Sequence, residues 1–249
     1  MLDGYSLRQY DWKDWALMTI SSSLVLQVIF SLGIANFGPV IMGIISDSPL
    51  TYEVFEQYVF LGIVYGTIAS LPITLLVIYW RKLPLINRRQ LTKKQSFIIR
   101  GLTKKDWKFL LKYIPSSYFL YMLGQIILAH FLGSSEPVNQ IAVESLFDYV
   151  PLWQMFIMIV IVAPIAEELL FRGILLFPGD HLNTTWLRVL ISAVLFGLVH
   201  NPTDILSFYT YVGMGLIFAY AAKRTETIEA AIVYHFLNNL LGFIAIISI

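Results

Sequence analysis

The ionisable residues that could act in catalysis lie within hydrophobic stretches of this chain. Glu167 and Glu168 occur in the stretch APIAEELLFRG, residues 163–173, with Arg172 four positions after the second glutamate. Because residues i and i+4 share one face of a helix, Glu168 and Arg172 are predicted to form an ion pair, which lowers the cost of burying either charge. Glu167 lies about 100° further round the helix and cannot share Arg172 equally. We therefore expect Glu167 to face another partner, as a carboxylate able to accept a proton.

Two later apolar segments carry imidazole and amide groups. FGLVHNP contains His200, and VYHFLNN contains His235 and Asn239, which lie one turn apart on one helix face. Taken singly, such residues also occur at wet helix ends or as hydrogen-bonding contacts between helices. Ionisable groups within a membrane are, however, usually functional. Together with Glu167, these residues predict a site where three helices converge.

The composition indicates a protein that crosses a membrane several times. The chain has 249 residues, of which 57% are hydrophobic and 13% charged, whereas a soluble domain has about 25% charged residues. The absence of cysteine excludes disulfides, thiol catalysis and thiolate metal sites. We predict an all-α transmembrane helical bundle, a single membrane domain over residues 1–249. Its seven predicted spans cover residues 16–38, 56–80, 109–133, 152–178, 184–201, 204–222 and 227–248.

The distribution of basic residues predicts the orientation. Every Lys and Arg except Arg172 falls in the segments 1–15, 81–112, 179–188 and 223–226. The opposite connections, 39–55, 134–151 and 201–204, contain none. The positive-inside rule therefore predicts a cell-membrane protein with the N-terminus in the cytoplasm and the C-terminus outside. The basic loop 81–108 is interpreted as an anchor on anionic lipid, and its sparse aromatics do not favour binding to nucleic acid.

Helix packing around the site is also expected to be irregular. Pro164, one turn before Glu167, removes a backbone hydrogen bond and is predicted to kink its helix. Gly197 and Gly213 are predicted to allow close approach of neighbouring helices.

The polar motifs resemble those of a known family. EELLFR, FGLVH and HFLNN match the patterns E-E-x-x-x-R, F-x-x-x-H and H-x-x-x-N, in that order along the chain. In this respect residues 151–249 resemble the CAAX protease and bacteriocin-processing family of intramembrane proteases, often called the Abi family. The family includes type II CAAX prenyl endopeptidases and bacterial members linked to peptide maturation or bacteriocin immunity. Residues 1–150, the N-terminal spans and the basic loop, match only in being membrane-spanning.

The resemblance implies an endopeptidase and a role for each motif residue. Glu167 with His200 would polarise a water, while His235 and Asn239 would face the oxyanion of the tetrahedral intermediate. Glu168 and Arg172 would support these residues. In the preferred interpretation no cofactor is required. The alternative is a zinc site held by Glu167, His200 and His235, which have acceptable ligand types but lack the H-E-x-x-H pattern.

The substrate implied by the resemblance is a membrane-associated peptide or protein. A prenylated CAAX tail, a leader peptide and a signalling-peptide precursor all remain open. Two other classes of protein are also considered. A non-catalytic membrane immunity or scaffold protein would not need the polar residues. A proton-coupled transporter would bury them but often shows two related halves, which this sequence lacks.

Overall fold

A computed structural model describes residues 11–46, 51–81, 83, 101–133, 137–177 and 184–248, and within these ranges the structure is helical, without strands. The predicted all-α class is therefore confirmed. The nine helices are α1 Trp12–Ile20, α2 Ser23–Ser46, α3 Tyr52–Arg81, α4 Lys104–Leu132, α5 Val138–Ser145, α6 Leu152–Leu176, α7 Trp186–Leu198, α8 Ile205–Thr225 and α9 Glu229–Ile247.

The membrane-spanning character is carried by the long apolar helices. Four of them, within α3, α6, α8 and α9, are long and apolar enough to cross a bilayer, and α1 joined to α2 through a 45° bend forms a possible fifth span. α7 is apolar but has only 13 residues, and α4 begins with several charged residues. The chain is thus a multi-pass membrane protein. The count of seven spans and the orientation stay predictions.

Three helices begin at capping boxes, where two side chains satisfy backbone N–H groups that lack partners inside the helix. The pairs are Asp11 with Asp14, Thr103 with Asp106, and Asp204 with Ser207. Such reciprocal caps fix the first turn of a helix and explain why α1, α4 and α8 begin at these positions.

One end of the bundle gathers the segments predicted to be cytoplasmic. Arg81, at the end of α3, binds Asp11 at 2.9 Å and the buried Asp14 at 2.8 Å. Likewise, the backbone N–H of Gly101 donates to Glu229 at the start of α9, and Lys223 of α8 donates to the carbonyl of Thr184. We call this the basic end, formed by residues 11–14, 81, 101, 184 and 223–229. Residues 84–100 of the basic loop lie outside the described residues.

The other end of the bundle gathers the segments that lack Lys and Arg. Tyr149 donates to Glu56 at 3.3 Å and packs on Phe60, with ring centroids 4.8 Å apart. Phe147 packs on Phe243 of α9 at 5.7 Å. We call this the acidic end, formed by residues 55–60, 138–151, 204–208 and 243–247.

Helix α6, which carries the two glutamates, departs from regular α-helical geometry on both sides of them. Ile157–Val162 and Phe171–Leu176 are π-helical, and Ala163–Leu170 between them is α-helical. The first π-helical stretch ends shortly before Pro164, whose ring nitrogen carries no hydrogen to donate. The predicted kink therefore takes the form of widened turns, and Leu152–Leu176 continues as one helix.

Close contact between α7 and α8 depends on two glycines. A Cβ on Gly215 would lie 2.7 Å from the carbonyl oxygen of Ala193, and a Cβ on Gly197 would lie 2.9 Å from the backbone nitrogen of Val212. The prediction for Gly197 is thus confirmed. That for Gly213 is wrong, because a Cβ there would make ordinary 3.4 Å contacts with Tyr121. Gly215 takes this role instead.

Candidate active site

The expected ion pair between Glu168 and Arg172 is present and fully buried. Nη1 of Arg172 donates to Oε1 of Glu168 at 2.9 Å, and both side chains are 0% exposed. Nη2 of Arg172 donates to the carbonyl of Gly215 at 2.8 Å, and the guanidinium lies 4.7 Å from the ring centroid of Phe196. The pair therefore ties α6 to α8 and holds the segment that carries Glu167.

Glu168 has a second partner that the sequence did not predict. Nδ1 of His235 lies 3.0 Å from the same Oε1 atom. Because an ion-paired carboxylate only accepts hydrogen bonds, Nδ1 of His235 carries the hydrogen. In the neutral form of the ring, Nε2 then carries no hydrogen. The ring is also stacked on Phe218, with centroids 4.6 Å apart, so its orientation is fixed.

His200 is held in the same tautomer by a different acceptor. Its Nδ1 lies 2.7 Å from the backbone carbonyl of Phe196, one turn earlier. A carbonyl oxygen can only accept, so Nε2 of the neutral ring is again unprotonated. Tyr211 of α8 stacks on the His200 ring at a centroid distance of 4.7 Å.

Both Nε2 atoms face Glu167. Its Oε2 atom lies 3.9 Å from Nε2 of His200 and 3.9 Å from Nε2 of His235. That oxygen is buried and makes no hydrogen bond to any of the residues that the structure describes. The structure thus brings together the three predicted ionisable residues, and an ionised Glu167 with two neutral histidines would present three hydrogen-bond acceptors to one space. Since a hydrogen-bonded water lies about 2.8 Å from each partner, one water can bridge atoms 3.9 Å apart.

Zinc fits these donors in type but not in spacing. A metal-bound histidine commonly donates its other N–H to a carboxylate or carbonyl, as His235 and His200 do here. The ligands of a tetrahedral zinc ion are, however, about 3.3 Å apart, because zinc–ligand bonds are about 2.0 Å long. Within the described ranges, no group of three His, Asp or Glu side chains is arranged to hold a metal ion.

Asn239 lies one turn after His235, as expected, but part of its amide is engaged. Nδ2 donates to the carbonyl of Ile159 in the first π-helical stretch of α6 at 2.9 Å. Its Oδ1 accepts from Nδ2 of Asn238 at 3.2 Å. One N–H of Asn239 therefore positions the residue, and the amide retains a second N–H.

A cavity of about 390 Å³ contains the site, and Glu167, His200, His235 and Asn239 all line it. Sequence reasoning missed several of its other wall residues, among them Gln27, Asn139 and Tyr211. Gln27 and Asn139 come from the N-terminal part of the chain, where no motif indicated a site. Only packing of α2 and α5 against α6 and α8 brings them to the site.

Comparisons with known proteins match the part of the chain that carries the site. Residues 149–241 match a family described as Type II CAAX prenyl endopeptidase Rce1-like. This match supports the resemblance of residues 151–249 to the CAAX protease and bacteriocin-processing family. The matched range includes all seven motif residues, and the match supports, at family level, a membrane-embedded peptidase.

Three curated proteins resemble longer parts of the chain. UPF0177 protein YbdI of Lactococcus lactis is 27% identical over 61% of this chain and 80% of its own length. The putative membrane peptidase YdiL of Bacillus subtilis is 36% identical over 42% of this chain and 41% of its own. The membrane-embedded CAAX protease MroQ of Staphylococcus aureus is 26% identical over 59% of this chain and 61% of its own. No solved structure matches the chain.

Proposed function

We propose that the chain is an intramembrane endopeptidase that hydrolyses a peptide bond with a water activated by Glu167. One observation carries this proposal, namely that Glu167 Oε2 lies 3.9 Å from Nε2 of both His200 and His235. A water among three acceptors donates both hydrogens and directs a lone pair outward, towards an incoming carbonyl carbon. Such a water is oriented for attack before the substrate arrives.

Each step of the proposed reaction uses residues of this chain. Glu167 takes one proton from the water as the oxygen attacks the carbonyl carbon, and a tetrahedral oxyanion forms. The N–H of Asn239 that is not bound to Ile159 donates to this oxyanion. The C–N bond then breaks, and the proton on Glu167 passes to the leaving amine. The second hydrogen of the water is accepted by Nε2 of one of the two histidines, which holds the water during the attack.

The role expected of His235 at the oxyanion changes with its tautomer. A neutral ring whose Nδ1 donates to Glu168 cannot donate from Nε2. His235 can contribute a second oxyanion hydrogen bond only as an imidazolium, which the Glu168 carboxylate would stabilise. In the proposed mechanism Glu168 therefore acts through His235, by fixing its tautomer and orientation.

The two alternative functions account less well for the same geometry. A scaffold or immunity protein has no need for two histidines held in one tautomer around a buried carboxylate. A proton-coupled transporter would need such groups. However, the dense packing of Arg172, Phe196 and Phe218, each no more than 1% exposed, closes the bundle next to the site.

The proposal is tested by comparing membrane peptides of cells that produce the wild type, Glu167→Gln or Glu226→Gln. The first variant removes the base with little change of shape, and the second makes the same change at an exposed turn. We expect a peptide that accumulates uncleaved only with Glu167→Gln, and a purified variant that cleaves it about 10²–10⁴-fold more slowly. Full activity of purified Glu167→Gln would refute the proposal.

Metal content is measured on the same purified proteins. The metal-free mechanism predicts full cleavage after dialysis against a chelator. The zinc alternative would replace the metal-free mechanism if the protein contains stoichiometric zinc, loses activity on chelation and recovers it when zinc is added.

A further inference from the structure

The cavity around Glu167 extends towards one end of the bundle only. Among the helices that line it, four contribute the parts that point to the acidic end: Phe60–Thr67 of α3, Met158–Glu167 of α6, Tyr211 and Met214 of α8, and His235–Ile246 of α9. Along α9 alone, the eleven steps from His235 to Ile246 correspond to about 16 Å of depth, at 1.5 Å per residue. Leu146 and Phe243, which contribute to the acidic end, also line the cavity.

The opposite direction is closed by a packed layer. Five side chains between the glutamates and the basic end are each 0% exposed and belong to one core cluster: Ile174, Leu176, Phe177, Ala222 and Ile228. A second cavity of about 110 Å³ adjoins Glu167, but on α6 its lining ends at Phe171, before that layer. A peptide cannot cross such a layer without separating α6, α8 and α9.

The charge at the acidic end restricts what can approach. Helix α5 contributes Asn139, Gln140, Ala142 and Val143 to the cavity wall. The described residues at this end include Glu144, Asp148 and Asp204 but no Lys or Arg. Negative charge around a cleft concentrates cations and repels anions.

We propose that the substrate is a neutral or basic peptide segment that reaches Glu167 from the acidic end of the bundle. The positive-inside bias places this end at the outer face of the membrane. The segment that is cut therefore lies in the outer leaflet or has already been translocated, unlike a tail displayed in the cytoplasm. This inference rests on the proposed peptidase function.

Single cysteines test the route in the full-length chain, because the protein contains no other thiol. Gly242→Cys places a thiol on the cavity wall, where a Cβ meets nothing within 4 Å. Glu226→Cys places one on an exposed turn at the basic end as a control. A membrane-impermeant cationic methanethiosulfonate reagent is added to intact cells and, separately, to inside-out vesicles.

We expect Gly242→Cys to react from outside intact cells and then to lose cleavage of the peptide found with Glu167→Gln. Glu226→Cys should react only in inside-out vesicles and keep its activity. Reaction of Gly242→Cys only from the inner face, or from neither face, would overturn the route. So would reaction of Glu226→Cys from outside.

The substrate class is tested with synthetic versions of that peptide added to the outside of cells. Versions with Lys beside the cleavage site should be cut with a lower KM than versions with Glu at the same positions. Equal or better cleavage of the acidic versions would overturn the charge preference. If labelling is as expected but no membrane peptide is cut, the peptidase proposal fails and the substrate class with it, whereas the outward-facing cavity stands.

Discussion

One carboxylate oxygen of Glu168 accepts hydrogen bonds from two neighbouring side chains. Its Oε1 accepts from Arg172 at 2.9 Å and from His235 at 3.0 Å, while all three residues are almost completely buried. Removal of any partner leaves a charge or an N–H without compensation in an apolar surrounding. The position of the site residues is therefore coupled to the stability of the bundle.

Arg172→Ala should lower both stability and activity. The variant strands the buried Glu168 carboxylate, and breaking a buried pair in this way costs about 3–5 kcal/mol. Thermal unfolding in detergent, with protein abundance in membranes, measures the effect. The double variant Glu168→Gln/Arg172→Gln should recover part of the stability, because no uncompensated charge remains. Normal stability of Arg172→Ala with no activity would instead place Arg172 in contact with the substrate.

Asn239→Ala should reduce turnover more than binding. Loss of one oxyanion donor typically costs about 10²–10³ in rate, and this contact strengthens only in the transition state. Asn238→Ala, at the neighbouring position on the cavity wall, is the matched control and should keep most of its kcat. Measurement of kcat and KM for both decides the question. A rise in KM alone for Asn239→Ala would contradict the assignment.

At the residue scale, the sequence predicted contacts between residues that are close along the chain but not contacts between distant ones. The pairing of Glu168 with Arg172 follows from helical spacing. The contact between Glu168 and His235 joins residues 67 positions apart, so no local pattern contains it. The tautomers of His200 and His235 could not be predicted from the sequence either, because they depend on which acceptor lies next to each Nδ1.

Among the helices, α7 and α8 make the closest contact that the site depends on. Gly215 contributes in two ways, because its missing side chain allows α7 to approach and its carbonyl accepts from Arg172. The sequence indicated small residues between these helices. It could not indicate which glycine faces α7, because that depends on the rotation of α8 about its axis.

Gly215→Ala should destabilise the protein, although alanine favours helices. The added Cβ would lie 2.7 Å from the Ala193 carbonyl oxygen, a backbone atom that cannot move alone, and overpacking costs about 1–3 kcal/mol. Gly242→Ala makes the same change where a Cβ has open space, so it should be neutral or slightly stabilising. Unfolding temperatures of the two variants check the prediction. Equal values would show that α7 and α8 adjust freely.

At the scale of the whole molecule, the charge pattern along the chain agrees with the arrangement of the helix ends. Arg81 meets Asp11, and Gly101 meets Glu229, as expected if each pair lies on one side of the membrane. The number of spans was harder to predict, because α4 starts with charged residues and α7 is short. Hydropathy measures composition and not how deep a helix sits.

The orientation itself can be measured with reporters. A reporter that is active only outside the cytoplasm, fused after Ile249, should be active, because seven spans place that position outside. The same reporter inserted at the exposed turn of Glu226 should be silent. The opposite pattern would reverse the orientation and with it the side from which the substrate arrives.

The distribution of the site over three helices has a consequence for biosynthesis. α6 leaves the ribosome before α7 and α9, so Glu168 and Arg172 enter the membrane as a pair that needs no later residue to neutralise it. Glu167 acquires both histidines only after α9 has inserted. A nascent chain that has not yet inserted α9 therefore carries the base without its water-binding partners and is expected to be inert. If the chain acts by the proposed mechanism, it would not cut other membrane segments emerging from the same translocon until its own folding is complete.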